Sequence, residues 1–350
     1  MLLELLYTDQ KYLFFMAAVM LCVGMIKDNN YFDDFIQIIS KYIKSKRLIV
    51  ASVSFFGGCL PIPGRVAVSA GILDTVAPKG DTEETCKSRS KFGIVDYLST
   101  HMYYLFSPLE KTIIIPMAVL GLSYMEMLYY TLPLLAVSIL YIGYYIFFVL
   151  KEEDIIINIQ EGFIDWVRFY LGAIPLFLAI GFLVVGFPAE YIFPITAVYY
   201  IFMSETFDIK KLNSYINWYL MATLAVVIVL ANITKSYNGE MLEFIESYGA
   251  DITTVSGFVM VSLFAFFASF AMGSSGKFAG IVALLGSLYG LEYLTWFIAI
   301  EYSAYLLSPA HKCTHIGRLY FGTQFLDYYK VLTKWAGIMI VLAAVGLFII

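Results

Sequence analysis

The chain has 350 residues, of which 61% are apolar, 17% aromatic and only 14% charged. A soluble domain keeps roughly a quarter of its residues charged, so this composition excludes an ordinary water-soluble protein and favours a lipid bilayer as its surroundings. The formal net charge of −5 gives no basic surface for phosphates, and no nucleic-acid partner is expected. The cysteines lie far apart in the sequence, which predicts neither a disulfide framework nor a zinc site.

Long apolar segments predict an all-helical polytopic membrane protein with about eight crossings. A bilayer core requires about 20 mostly apolar residues in a helix. The predicted crossings are 11–26, 93–123, 126–150, 163–187, 189–207, 212–233, 291–323 and 331–350. The N-terminus has no basic region followed by a cleavage site, so we expect the first crossing to be retained.

Two further apolar segments, 48–77 and 252–290, contain turn residues near the middle and are predicted to be re-entrant hairpins. Lysines and arginines flank the first segment on both sides, as two cytoplasmic ends require. Acidic residues precede the second segment, which places it on the opposite side of the membrane. The turn residues are Pro61, Pro63, Gly64 and Arg65 in the first hairpin, and Gly273, Ser274, Ser275, Gly276 and Lys277 in the second.

The chain also matches itself, which predicts two repeats. The run from Tyr104 to Lys111 aligns with the run from Tyr305 to Lys312, and Gly121 aligns with Gly322 at the same offset. Equivalent points are separated by an odd number of crossings, so the repeats have inverted topology, as in secondary transporters. The predicted units are repeat one (1–150), connecting scaffold helices (151–211) and repeat two (212–350).

Each repeat is expected to contain a crossing, an interfacial helix (31–45 and 239–250), a hairpin, a helix broken at Ser-Pro, and a final crossing. The breaks are predicted near 107–108 and 308–309. Broken helices expose N–H groups that suit anions and carbonyl groups that suit Na⁺. Because Arg65 and Lys277 fall at matching hairpin positions, we expect an anionic solute.

Two sets of site residues follow. The predicted substrate-binding residues are the hairpin turns, Pro61, Pro63, Gly64, Arg65, Gly273, Ser274, Ser275, Gly276 and Lys277. The predicted ion-coupling residues are Ser107, Pro108, Glu110, Ser308, Pro309 and His311. His311 and His315 are four residues apart on one helical face, a weak zinc pattern, and no metal site is expected. Asp96, His101, Glu292 and Glu301 lie in predicted crossings and receive no role.

Two runs resemble a known family. The first run is Leu60-Pro61-Ile62-Pro63-Gly64 with Val68-Ser69-Ala70. The second extends from Leu307 to Cys313 and is followed by Tyr320-Phe321-Gly322. Both resemble prokaryotic integral membrane proteins of the family catalogued as domain of unknown function 401. That family looks like a branch of the ion transporter superfamily, whose members carry citrate, dicarboxylates, gluconate, lactate, arsenite or Na⁺/H⁺. The resemblance covers most of 11–325. It implies two inverted repeats, an elevator-like moving domain, a homodimer and a location in the plasma membrane.

This chain departs from the family pattern by fewer N-terminal helices and by Arg65 in place of a second glycine.

The expected function is secondary transport of a small anion coupled to Na⁺ or H⁺, with no other cofactor and no enzymatic activity. No phosphate-binding Gly-x-x-x-x-Gly-Lys run exists in the chain, which disfavours ATP hydrolysis. Two alternatives remain open. One is an intramembrane enzyme that uses Glu110, His311, Cys313 and His315, and the other is a membrane subunit that kept the fold without transporting.

Overall fold

The structure is a computed structural model of the chain. It describes residues 10–29, 42–43, 45–59, 65–80, 82–155, 166–204, 208–216, 251–273, 275–311, 313–314, 320–322 and 324–349, with isolated positions between 218 and 247. Regular structure in these residues is entirely helical, without a strand. The prediction of an all-helical protein is confirmed.

Helices occupy the predicted crossings and hairpins wherever the chain is described. The first half (1–150) contains α1 (Gln10–Asp28), α2 (Lys46–Cys59), α3 (Arg65–Val76), α4 (Glu83–Met102), α5 (Lys111–Leu120) and α6 (Tyr124–Tyr144). The connecting region contains α7 (Trp166–Val184) and α8 (Ala189–Met203). The second half (212–350) contains α9 (Leu212–Tyr215), α10 (Val255–Met272), α11 (Ser275–Tyr289), α12 (Leu294–Leu307) and α13 (Phe325–Ile349). Half of 212–233 and most of the interfacial segments 31–45 and 239–250 lie outside the described residues.

Polar caps begin the long apolar helices. At the start of α6, the Ser123 hydroxyl accepts the N–H of Glu126 at 3.3 Å, and the Glu126 carboxylate accepts the N–H of Ser123 at 2.7 Å. At the start of α10, the Thr254 hydroxyl accepts the N–H of Gly257 at 3.1 Å. Hydrogen bonds from the hydroxyl and N–H of Thr253 lower the pKa of Asp251 below its ordinary value. Each helix therefore has a charged or polar group at its entry.

The two halves pack their helices in the same pattern. In the first half α2, α3 and α4 contact one another, and α6 contacts α4. In the second half α10, α11 and α12 contact one another, and α13 contacts α12. The halves meet where α5 packs against α11 and α6 packs against α13. A further layer of α1, α8 and α7 is joined to this core through contacts between α6 and α7.

Apolar surface covers the outside of the molecule. The segments Tyr124–Val149 and Phe325–Leu347 are long and apolar enough to cross a membrane, and only 28% of each is buried in the chain. A core helix of a soluble protein would be mostly buried, so these faces require an apolar environment. Large exposed side chains include Leu132, Leu140, Phe148, Phe177, Phe202, Phe264, Phe267 and Val341. These two helices indicate association with a membrane.

The inside of the molecule holds the polar side chains instead. Every residue from Phe92 to Tyr104 is buried, and α12 is buried along nearly its whole length. These two central helices carry Asp96, His101 and Glu301, each with no exposed surface. Ionisable side chains that face the interior of an apolar helix bundle are typical of functional sites in membrane proteins.

Candidate functional site

The central helices are interrupted at the predicted Ser-Pro positions, and both interruptions have the same local geometry. The first break, Ser107-Pro108, separates the extension of α4 from α5, and the second break, Ser308-Pro309, follows the end of α12. In each, the serine hydroxyl oxygen accepts the backbone N–H two residues later at 3.2 Å. The N–H three residues later donates to the serine carbonyl at 3.1 Å in both breaks. Gly121 and Gly322 follow at equivalent positions with φ of 71° and 64°.

The carbonyl groups that the breaks release are satisfied by side chains. Tyr124 of α6 donates its hydroxyl to the carbonyl of Phe106 at 2.6 Å. Tyr329 of α13 donates in the same way to the carbonyl of Leu307 at 2.9 Å. Each carbonyl belongs to the residue just before the break serine, and each tyrosine comes from the next long helix of its half. Because a carbonyl has two lone pairs, one remains at each position for a cation.

The two breaks are joined by the helical turns that precede them. Tyr104 and Tyr305, which are equivalent in the internal match, place their hydroxyl oxygens 3.3 Å apart. The Nε2 atoms of His101 and His311 are 3.0 Å apart. Tyr302 donates its hydroxyl to the carbonyl of His101 at 2.7 Å. All of these side chains are buried, so the two halves are in direct polar contact at the centre of the core.

Two buried carboxylates accompany these contacts. Asp96 on α4 receives a hydrogen bond from the Ser69 hydroxyl of α3, and its second carboxylate oxygen has no hydrogen-bond partner among the residues that the structure describes. Within the same described part of the chain, neither carboxylate oxygen of Glu301 on α12 has a hydrogen-bond partner. A buried carboxylate without partners is costly unless a proton or a cation neutralises it. The central helices therefore offer two positions where a cation would be stabilised.

The tip of the second hairpin lies against the second break. The Ser308 hydroxyl donates to the carbonyl of Phe270 at 2.5 Å, near the end of α10. Gly273 has a φ of +53°, and a Cβ placed there would lie 2.8 Å from the carbonyl carbon of Ala310. The structure thus brings the predicted substrate-binding residue Gly273 against the segment that begins with the predicted ion-coupling residues Ser308 and Pro309. Ser275 and Gly276 follow Gly273 in the first turn of α11. Lys277, in the first turn of α11, is exposed.

The remaining predicted site residues are placed as follows. Pro61, Pro63, Gly64 and Ser274 lie outside the described residues, and Arg65 is the first residue of α3. Pro108 is buried, whereas Pro309 is exposed. Glu110 is half-buried, and its backbone carbonyl accepts the N–H groups of Ile113 and Ile114 at the start of α5. The sequence prediction of an Arg65 and Lys277 pair stays a prediction.

Three residues of the site, Asp96, His101 and Glu301, received no role from the sequence. The signal that marks them is an ionisable residue inside a long apolar segment. His101 was harder to assign, because its partner His311 is not its equivalent in the internal match. His101 aligns with Tyr302 and His311 with Glu110.

The chain was compared with known families and proteins. The family model described as "Protein of unknown function (DUF401)" matches residues 7–350. No curated protein gives a significant match.

Proposed function

The chain belongs to the DUF401 family of proteins of unknown function, and we propose that it is a secondary active transporter of a small anionic solute. It crosses the plasma membrane of a prokaryote several times, with hairpins and broken helices arranged in two inverted repeats. Transport is coupled to a gradient of Na⁺ or H⁺, and the chain is not an enzyme. The expected partners are the bilayer, the solute and a second copy in a homodimer.

The observation that carries the proposal is the pair of matched helix breaks at the buried centre. Broken helices placed face to face between repeats are the usual binding region of secondary transporters. Here the breaks share their serine hydrogen bonds and their tyrosine-capped carbonyls, and they meet through Tyr104 and Tyr305. The matching helix contacts of the two halves support a repeat architecture.

The charge of the second hairpin tip favours an anion. α11 begins at Ser275, so its first N–H groups and its partial positive charge lie beside the second break. Lys277 adds a full positive charge in the same turn and is exposed. A carboxylate or oxyanion bound here would contact both the helix terminus and the ammonium group.

The buried acids favour coupling to a cation. Three carboxylate oxygens of Asp96 and Glu301 have no hydrogen-bond partner in the described part of the chain, and either Na⁺ or a proton would neutralise them. Entry of the cation would lower the cost of keeping these groups in the core. A cation and an anion that bind near each other would then be stabilised together, which is the basis of symport.

Uptake by purified protein in proteoliposomes tests the proposal. Citrate, succinate, gluconate, lactate and arsenite would be offered with and without imposed Na⁺ or pH gradients. We expect gradient-dependent accumulation of one of these anions. Lys277→Ala should reduce its uptake about tenfold or more, because a hydrogen bond to a charged group contributes about 1.5–3 kcal/mol.

Lys87→Ala is the matched control, since Lys87 is exposed and pairs only with Glu83 among its described contacts. It should leave uptake unchanged. If folded, monodisperse protein accumulates no anion under any gradient, the transporter proposal is wrong, and the enzyme or the non-transporting subunit becomes the better hypothesis. Equal losses in the two lysine variants would contradict the role of the hairpin tip.

A further inference from the structure

His101, His311 and Cys313 bring three metal-ligating atoms together between the two halves. The side-chain donor atoms lie within 4.8 Å of one another. His101 belongs to the last turn of α4, before the first break, and the other two residues directly follow the second break. Both histidines are buried and Cys313 is half-buried.

The hydrogen bonds around the two imidazoles determine which nitrogen carries a hydrogen. The Nδ1 atom of His101 lies 2.5 Å from the carbonyl oxygen of Tyr97. The Nδ1 atom of His311 lies 3.2 Å from the carbonyl oxygen of Tyr305. A carbonyl oxygen can only accept a hydrogen bond, so both Nδ1 atoms are donors. In a neutral imidazole the other nitrogen, Nε2, then carries a lone pair.

The hydrogen bonds of the Tyr97 hydroxyl are consistent with the Nδ1 atom of His311 being a donor. It donates its hydroxyl to the carbonyl of Leu306 at 2.8 Å and receives the hydroxyl of Thr314 at 3.3 Å. Its oxygen lies 3.5 Å from the Nδ1 atom of His311. Since the Tyr97 hydrogen is already used, its oxygen is an acceptor for that nitrogen as well.

Two Nε2 lone pairs therefore point at each other across 3.0 Å. Such a pair is repulsive unless a cation lies between the nitrogens. A shared proton would need only the two histidines, whereas the nearby thiol supplies the third donor that a metal requires. We propose that one transition metal ion such as Zn²⁺ is bound by His101 Nε2, His311 Nε2 and Cys313 Sγ. The Cys313 thiol releases its proton to solvent when the metal binds.

The arrangement fits zinc in donor type and in spacing. Zinc prefers imidazole nitrogen and thiolate sulfur, and its bond lengths imply distances of roughly 3.3–3.6 Å between tetrahedral ligands. The nitrogens are slightly closer than this, and the three donor atoms lie within 4.8 Å of one another, so metal binding would require a shift of the Cys313 side chain toward the nitrogens. Backbone carbonyls orient both histidines, as outer partners do in known metal sites. Three protein ligands leave a fourth position open.

Such a metal would fix the distance between the two breaks. One ligand comes from the first half and two from the second, so binding would tie the end of α4 to the segment after Pro309. The site shares His311 with the predicted ion-coupling residues, but metal binding is measured without transport, so the proposal stands even if transport is not observed.

Titration with Co²⁺, a coloured substitute for Zn²⁺, tests the site. The full chain would be purified in detergent, stripped with a chelator, titrated with Co²⁺ and then competed with Zn²⁺. We expect one equivalent per chain, with tetrahedral absorption and a thiolate-to-cobalt band that Zn²⁺ removes. Cys313→Ser should abolish the thiolate band, and His101→Ala should weaken affinity more than the about 10–100-fold typical of outer partners.

The chain provides matched controls, because its three histidines include only one outside the proposed site. His315→Ala and Cys86→Ser, at an exposed cysteine, should keep both the affinity and the thiolate band. Size-exclusion profiles would verify that each variant is folded. The proposal is overturned if folded wild-type protein binds no Co²⁺ or Zn²⁺, or if His315→Ala removes the site while His101→Ala keeps it.

Discussion

The first break and the second break have the same hydrogen bonds but different surroundings. Ser107 and Pro108 are both buried, and α5 after them is buried along Thr112–Val119 against α11. At the second break Ser308 is buried, but Pro309 is exposed. The serine hydrogen bonds are therefore intrinsic to the broken helix, and the tyrosine contacts come from the next long helix of each half. The exposure of each break is set by the other helices that pack around it.

This difference has a functional meaning within the proposed transport cycle. A transporter in one of its two access states exposes one route to its centre and closes the other. Because Pro309 at the second break and Lys277 are both exposed, the transport proposal assigns the open route to the side of the second break. In the opposite access state, the surroundings of the two breaks would be exchanged, so that the first break is exposed and the second is buried. Substitutions at corresponding positions of the two halves therefore measure which contacts contribute equally to stability in both halves and which contribute unequally.

The largest effect is expected at Gly273, where the hairpin tip contacts the second break. Gly273→Ala introduces a Cβ into backbone at φ +53° and within 2.8 Å of Ala310. The left-handed backbone costs about 1–2 kcal/mol, and the overlap adds about 1–3 kcal/mol. We expect a clear fall in the thermal midpoint of unfolding, measured by intrinsic fluorescence in detergent.

Gly322→Ala and Gly121→Ala are the controls, since both glycines have positive φ and no atom of the described residues lies within 4 Å of the added Cβ. Both variants should be destabilised only by the free-energy cost of placing a residue with a Cβ in the left-handed backbone conformation. Equal falls for all three variants would mean that the hairpin tip does not pack against the second break.

Much of this organisation was predictable from the sequence, for physical reasons that differ between elements. The helices follow from apolar length, and the two breaks were expected from Ser-Pro runs because proline removes a backbone donor and disfavours a continuous helix. Some contacts between the halves join aligned residues, as Tyr104 and Tyr305 do, but the contact between the two histidines was not predictable, because the internal match does not align them. His101 meets His311, although its equivalent is Tyr302. Only the packing of α4 and its extension against the second break brings these side chains together.

The buried acids provide the next comparison. Glu301→Met removes two carboxylate oxygens for which the described residues provide no hydrogen-bond partner, at nearly constant side-chain volume. Because an unsatisfied buried polar group costs about 1–3 kcal/mol, the variant should be more stable by a comparable amount while it loses gradient-coupled uptake. Thermal unfolding and proteoliposome uptake would be measured on the same preparation.

Asp96→Leu should differ from Glu301→Met, although both remove a buried acid. Its carboxylate receives the Ser69 hydroxyl, so the substitution leaves that hydroxyl without its acceptor. We expect little net change in stability, with the same loss of coupling. A Glu301→Met protein that is less stable than wild type, or that retains full coupling, would contradict the proposed role.

The smallest effects are expected for the two tyrosines that cap the released carbonyls. Tyr124→Phe leaves the carbonyl of Phe106 without its hydroxyl partner in a buried environment, and should cost about 1–3 kcal/mol. Tyr329→Phe removes the equivalent bond to Leu307, but Tyr329 is half-buried beside the open second break. Water can replace the lost hydroxyl there, so the cost should be about 0.5–1.5 kcal/mol. Unfolding midpoints of the two variants would be compared under identical conditions. A larger loss for Tyr329→Phe would show that the second break is the closed one, and it would reverse the assignment of the open route.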